Sequence, residues 1–473
     1  MQYGGIMMCK TRLEHDSVGE KEVPVAAYYG VHSLRAKENF PITGLTMHPE
    51  MICALAILKK ASAITNMEAG VLDRKRGDAI VAACDEILAG KLHDQFIVDP
   101  IQGGAGTSAN MNANEVIANR AIELLGGRKG DYSVVNPNDH VNNGQSTNDV
   151  YPSCGKIAAL VMLGRTKKEL ERLEQALLDK AEEFKGIIKM GRTQLQDAVP
   201  VRLGQEFHAY AAAIARDIKR FDLAMEELRT LNMGGTAIGT GLNADTYYYT
   251  HICENISKVS GISFRQCEDT IDGTQNLDCW PTVSGILKAC AVNMSKICND
   301  LRLMSSGPRT GFSEINLPPR QNGSSIMPGK INPVIPEVVS QVAFDVIGND
   351  MTITMAAEAG QFELNAFEPV IFYRLFESIS AIGNAAATLT DNCIVGITAN
   401  LEHCAELVNH SIGIITAICP YVGYEVAANT AKEAQRTGAS VRELILKKGL
   451  LTAEQLNAIL EPYAMTEPGI QGK

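Results

Sequence analysis

The sequence predicts a mainly α protein built around a bundle of long helices. Three observations predict it: long Ala-, Leu-, Met-, Glu- and Lys-rich stretches with apolar residues three and four apart, a scarcity of alternating β-branched runs, and a composition suited to a large folded interior. The 473 residues are 45% apolar and 21% charged, a globular balance rather than a disordered one. Length alone suggests about three domains.

Each part follows from its own residues. The opening MQYGGIMMCKTRLEHD turns charged before a useful apolar run develops, so no secretory signal is expected. Residues 1–145 mix shorter helical text with Gly- and Asn-rich loops at 101–116 and 136–152 and read as a mainly helical N-terminal domain. Residues 146–399 hold five long helical stretches and read as a central bundle domain. The clearest stretch carries Phe207, Tyr210, Ala211, Ile214, Ile218, Phe221, Met225 and Leu228 on one stripe. The others are expected at about 153–185, 282–305, 336–359 and 370–392. Residues 400–473 form a small C-terminal helical domain, with capping boxes expected at Ser440–Glu443 and Thr452–Gln455 on either side of Gly449. Its second helix, TAEQLNAIL, has no Arg or Lys for a phosphate, which argues against a DNA-binding role.

Charge and cysteine usage narrow the partners. Lys and Arg total 43 against 54 Asp and Glu, a net charge of -11, so the basic excess that nucleic acids or anionic membranes select is missing. A small anionic substrate would need a local basic pocket. The 12 cysteines include no C-x-x-C pair, and Cys53, Cys84, Cys290 and Cys298 sit in apolar helical text. Buried free thiols, a reducing compartment and a cytoplasmic location are expected. The weakly polar run at 412–424 is broken by Gly413, Pro420 and Gly423 and is well short of the ~20 residues that span a bilayer.

The stretch 307–336, GPRTGFSEINLPPRQNGSSIMPGKINPVIP, has no periodicity and is rich in Gly and Pro. Structureless loops of that length are uncommon in compact domains and are usually functional. It places Ser324, Ser325, Lys330 and Asn332 within nine residues. A phosphate-cradling P-loop is excluded, because five residues separate Gly323 from Gly329 and Ile331 follows Lys330 where a hydroxyl is needed. An active-site lid remains, alongside an ordinary connection. Three further loops carry Thr107 with Ser108, Ser146 with Thr147 and Asn148, and Thr193 with Gln194. Singly, each could cap a helix. Together with Lys330 they describe a pocket for carboxylates, since hydroxyls and amides donate to an anion and the ammonium neutralises it. His32, His140, His208 and His251 have no partner ligands at metal-binding spacing. The glycine runs at 103–106 and 234–241 are expected to follow no strand and to open no dinucleotide-binding unit.

These residues resemble a known family. GSSIMPGKINP (323–333) is similar to the signature of the fumarase/aspartase superfamily, and GAGTSANMNANEV, QSTNDVYPS, GRTQLQDAVP, GGTAIGTGLN and GQFELN resemble further family blocks in the expected order. The resemblance implies a lyase that releases fumarate from a succinyl-containing substrate. It also implies a three-domain fold whose five-helix bundles build a twenty-helix core in a homotetramer, with active sites shared between subunits. Gln194, where fumarases carry His, together with the text around Tyr28–His32 and Phe367–Pro369, leans towards the members that eliminate ammonia from L-aspartate. The family pattern makes Ser324 the general base. It gives Thr107, Ser146, Thr147 and Ser325 to the carboxylate that accumulates charge, Lys330, Asn332 and Thr193 to the other carboxylate, and Asn148 and Gln194 to the amino group. No cofactor is called for, because the substrate carboxylate is itself the electron sink. Activation by a divalent cation such as Mg2+ is left open. The alternatives are fumarate hydration, another superfamily elimination, or a non-catalytic structural protein on the same scaffold.

Overall fold

The structure is a computed structural model that describes residues 10–323 and 325–473. The five long helices are present, and they run Thr147–Glu183, Leu203–Glu227, Cys279–Met304, Val334–Glu358 and Glu368–Asn392. Their ends lie within a few residues of the sequence expectation. The starts fall earlier because helix begins inside polar text: Thr147, Asn148 and Asp149 form the first turn of the first long helix. Pro336 lies in the first turn of the fourth, where its missing N–H interrupts no ladder. The predicted stripe of the second is buried at Phe207, Tyr210, Ala211, Ile214, Ile218, Phe221 and Leu228. Met225 is only half-buried, and Ala224 takes the inward position.

By compactness the chain divides into two units, and each unit boundary falls inside one of the five long helices. The first unit takes in the chain up to Thr166, then Arg220–Ala289 and Asp345–Ile382. It opens with an antiparallel hairpin, Thr11–Asp16 paired with Gly19–Pro24. The helices Pro49–Glu68, Arg74–Leu88, Thr107–Leu124 and Thr246–Ser260 follow, and the first of these packs on each of the other three. Asp73 and Asp245 cap two of them by accepting from Arg76 N–H and Tyr247 N–H. Leu55, Leu58, Ile80, Ile87, Ile117 and Ile122 are among the core side chains.

The second unit comprises Lys167–Lys219, Cys290–Phe344 and Gly383–Lys473. A second hairpin, Ile188–Thr193 with Gln196–Arg202, lies in it. Neither hairpin is signalled by apolar alternation in the sequence. The tail helices Val441–Lys447 and Ala453–Ile459 begin at the two predicted capping boxes, both formed in full. Val441, Leu444, Ile445, Leu456 and Ile459 join Met190, Ile414 and Ile418 in one apolar cluster.

The eleven cysteines of the described residues are free thiols, most of them buried. None of the described helices is long and apolar enough to cross a membrane.

Candidate active site

In the first unit the hydroxyl and amide loops converge on the N-terminal ends of two helices. Thr107 is the first residue of Thr107–Leu124, and the backbone before it turns through left-handed conformations at Gly104, Ala105 and Gly106. Gly106 must be glycine: its φ is 88°, and a Cβ there would lie 2.3 Å from the Tyr151 ring. One turn beyond Thr107, the Asn110 amide donates to Thr147 Oγ1 at 3.2 Å, so the first turns of the two helices meet. Thr107, Ser146, Thr147 and Asn148 are all half-buried. The Asn148 amide donates to the carbonyl of Ala237 at 2.7 Å, and Asn148 N–H donates to Ser146 Oγ at 3.2 Å.

Behind this turn lies a buried polar network that local sequence did not single out. Lys59, fully buried on Pro49–Glu68, donates to Asn142 Oδ1 and Gln145 Oε1, each at 2.8 Å. The amides of Asn110 and Asn114 reach the same Asn142 oxygen at 3.2 Å. Asp149, also fully buried, accepts from Ser146 N–H at 2.9 Å and from Gly234 and Thr236 N–H at 3.1 Å. Burial pushes the Lys59 ammonium below its ordinary range and the Asp149 carboxyl above its own, because the interior penalises either charge. Both groups restrain the segment 142–149 through these hydrogen bonds. The sequence gives little hint of it, since Lys59 stands beside Lys60 in the helix and its partners lie more than 80 residues away.

The expectation for the glycine run at 234–241 needs correction. A two-residue strand, Thr230–Leu231, does precede it and pairs in parallel with Arg265–Gln266. The next helix starts only at Thr246, so no strand–turn–helix phosphate site forms. The run supplies two of the three N–H groups that hold Asp149.

In the second unit Thr193 and Gln194 stand exposed at the tip of the hairpin. Thr193 pairs with Gln196, so Gln194 and Leu195 form a two-residue turn, with φ of 54° and 61°. Both φ values are positive, as in the mirror-image turns that match strand twist and normally take Asn or Gly. For non-glycine residues this conformation costs roughly 1–2 kcal/mol each, and such strain concentrates at functional positions.

The loop between the third and fourth long helices belongs to the same unit. Its root pairs with a later segment, Ile315–Asn316 against Thr398–Ala399. Arg320 donates to the carbonyls of Asp391 and Asn392 at 2.9 and 2.7 Å. Asn332 donates to the Gly323 carbonyl at 3.1 Å and is half-buried, whereas Ser325 and Lys330 are exposed. A cavity of about 1070 Å³ is lined by Arg302, Ser306, Asn316, Lys330, Asn332 and Glu337, among others. Ser324, the expected base, lies outside the described residues. Among the described residues no group of three or more His, Cys, Asp or Glu side chains is placed to hold a metal ion.

Comparison with known proteins places this geometry. A lyase family model matches residues 19–348, and a fumarase C C-terminus model matches 414–467. The chain belongs to the fumarase/aspartase superfamily of lyases. Its relatives in that superfamily include the aspartate ammonia-lyase of a Bacillus species, 59% identical over 99% of this chain and 100% of that protein. The Bacillus subtilis and Escherichia coli proteins of the same name are 55% and 49% identical, each over 98% of this chain and 97% of their own length. Among solved structures, a Brucella melitensis protein described as fumarate lyase:delta crystallin bound to cobalt superposes with a TM-score of 0.94 at 49% identity, covering 97% of this chain and 100% of that one. Class II fumarase from Schistosoma mansoni gives a TM-score of 0.94 at 33% identity over 97% and 99% of the two chains. The mainly helical superfamily fold is therefore the fold of this chain.

Proposed function

We propose that the protein is an aspartate ammonia-lyase that catalyses the reversible anti-elimination of ammonia from L-aspartate to give fumarate. Full-length kinship to proteins of that name carries the reading. Gln194 at the hairpin tip supports it, because a carboxamide hydrogen-bonds an amino group and does not relay a proton.

The difficult step is removal of a proton from the carbon beside the β-carboxylate. Its electrons flow into that carboxylate as an aci-carboxylate (enediolate), so donors must already point where the charge grows. Ser146 and Thr147 fill that role from the braced first-unit turn and Thr107 from the start of the helix beside it, with Ser325 from the loop. Lys330, Asn332 and Thr193 bind the α-carboxylate, and Asn148 and Gln194 orient the amine. Ser324 takes the proton. Its hydroxyl is a usable base only when its alkoxide is stabilised and water is excluded, which gives the long exposed loop its purpose as a lid. Ammonia departs as the electron pair of the broken C–H bond forms the new double bond. No cofactor enters these steps, and a divalent cation such as Mg2+ would act as an activator away from them.

The fourth long helix supports a homotetramer with shared sites. Phe344, Ile347, Met351 and Met355 lie three and four residues apart and are 65%, 40%, 64% and 65% exposed. An apolar stripe of that length suits burial against helices of other copies. A twenty-helix tetramer core and the division into 1–145, 146–399 and 400–473 belong to this reading, as does a cytoplasmic location.

The test is direct. Purified protein given L-aspartate should release ammonia and fumarate in equal amounts, and fumarate should yield aspartate only when ammonium is added. A second reading, fumarate hydration, draws on the 33% kinship to the Schistosoma fumarase. Malate formed from fumarate without ammonium, and no aspartate with it, would favour that reading and sink the first.

A further inference from the structure

We propose that Glu314 is a positioning residue for this elimination, locking the hairpin tip that carries Thr193 and Gln194 to the root of the loop that carries Ser325, Lys330 and Asn332. The inference rests on the activity proposed above and concerns how two of its segments, both in the second unit, keep register.

Glu314 is fully buried at the loop root, and each of its carboxylate oxygens faces a cation of the hairpin strand, with Oε1 accepting a hydrogen bond and Oε2 held by an ion pair alone. Oε1 lies 2.8 Å from the Arg192 guanidinium, and Oε2 lies 2.9 Å from Lys189 Nζ. Lys189 also donates to both oxygens of Glu206 on the second long helix, each at 3.0 Å. The Arg192 guanidinium stacks 4.3 Å over the ring of Phe312, two residues before Glu314. The main chain is fixed as well: Glu314 N–H donates to the Met304 carbonyl at 2.8 Å, and Asn400 N–H donates to the Glu314 carbonyl at 2.9 Å.

The hairpin ladder is irregular beside this grip. In a regular strand Lys189 and Arg192, three apart, would face opposite sides. The pairing register shifts between Met190, which pairs with Pro200, and Arg192, which pairs with Asp197, so Ala198 and Val199 of the facing strand oppose Gly191 alone and the ladder is irregular at this point. Gly191 fits because a Cβ there would stand 2.8 Å from the Val199 carbonyl. Lys189 and Arg192, on either side of this irregularity, both reach one carboxylate, immediately before Thr193. A buried charge cluster gives little net stability over an apolar packing of similar volume, so stability is a weak reason for it here. Registry between two reacting segments is a stronger one, since a misplacement of ~1 Å can cost about 10²-fold in rate.

The test uses R192M, R192K and E314Q in the full-length protein. Arg192 is half-buried rather than enclosed, so R192M keeps the Lys189–Glu314 pair and decides the matter should E314Q fail to fold. R192M is expected to lower kcat/KM for L-aspartate by about tenfold to 10²-fold, mostly through KM, with R192K recovering part of the loss. Hydrogen exchange should quicken together at 190–196 and at 307–323. A merely structural role would lower the melting temperature and leave KM and the paired exchange unchanged; that result, with kcat and KM within about twofold of wild type, overturns the proposal. Exchange is read whatever the substrate. Wild-type protein inert towards aspartate would defeat the proposed activity, while coupled quickening at the two segments would still uphold Glu314 as the tether and its absence would still refute it.

Discussion

The turn at Ser146–Asn148 and the loop at 307–333 both carry hydroxyls of the proposed site, but they are built in opposite ways. The turn is half-buried and braced from behind by Lys59, Asn110, Asn142 and Asp149. The loop is pinned at Ile315–Asn316 and Arg320, and beyond those points it exposes Ser325, Ile326, Met327 and Lys330. The difference fits the role proposed for each. Donors that stabilise a growing charge act best when fixed in advance, because nothing then reorganises as the charge forms. A base that works only away from water must arrive with the substrate and leave with the product.

The sharpest way to break this comparison is at the loop. Ser324→Ala should lower kcat by about 10²–10⁴-fold, the usual worth of a positioned base, with the oligomer and melting temperature unchanged; near-normal turnover would remove Ser324 from the mechanism. Lys330→Ala should raise KM for aspartate by about 10- to 100-fold, since a charge-assisted hydrogen bond is worth roughly 1.5–3 kcal/mol. Because Lys330 is exposed, stability should not move, and steady-state kinetics beside a thermal melt would check both statements.

Changes on the braced side should instead register in stability. Asp149→Asn offers one acceptor oxygen where the carboxylate serves three N–H groups, and an unmet buried donor costs about 1–3 kcal/mol. Denaturant unfolding should show that loss together with a fall in kcat; a loss of kcat alone would mean that the turn is not braced by Asp149.

A smaller effect, read as a pH slope, comes from Glu368. It is buried, its Oε1 has no hydrogen-bond partner, and burial raises its carboxyl to about 8 from an ordinary value of 4.5. Between those values the folded state keeps a proton that the unfolded chain gives up, so this group makes stability fall as pH rises, by about 1.4 kcal/mol per unit. Glu368→Gln mimics the neutral acid and should flatten that part of the slope between pH 5 and 8. An unchanged slope in urea titrations across that range would show that Glu368 is ionised in the folded protein.

How much was legible in the sequence depended on how local the signal was. The five long helices were readable because Phe207, Ile214, Ile218 and their counterparts repeat within a few turns, and the capping boxes at Ser440 and Thr452 are complete within four residues. The loops proposed for the site stood out because their residue types are unusual together. The hairpin Ile188–Arg202 was not, since the turn at Gln194–Leu195 lacks the Asn or Gly that announces such a turn. Lys59 and Glu314 were missed for a related reason. Lys59 meets Asn142 across 83 residues and Arg192 meets Glu314 across 122, and no window of sequence displays a contact of that span.

The left-handed corner at Gln194–Leu195 also offers a handle for redesign. Its shape is imposed by the paired strands on either side, so the side chain at 194 can be exchanged with little risk to the scaffold, and glycine at 195 should relieve torsional tension. With Gln194 orienting the amine as proposed, a small library at this one position should yield variants that accept other amines as nucleophile in the reverse, amine-adding direction.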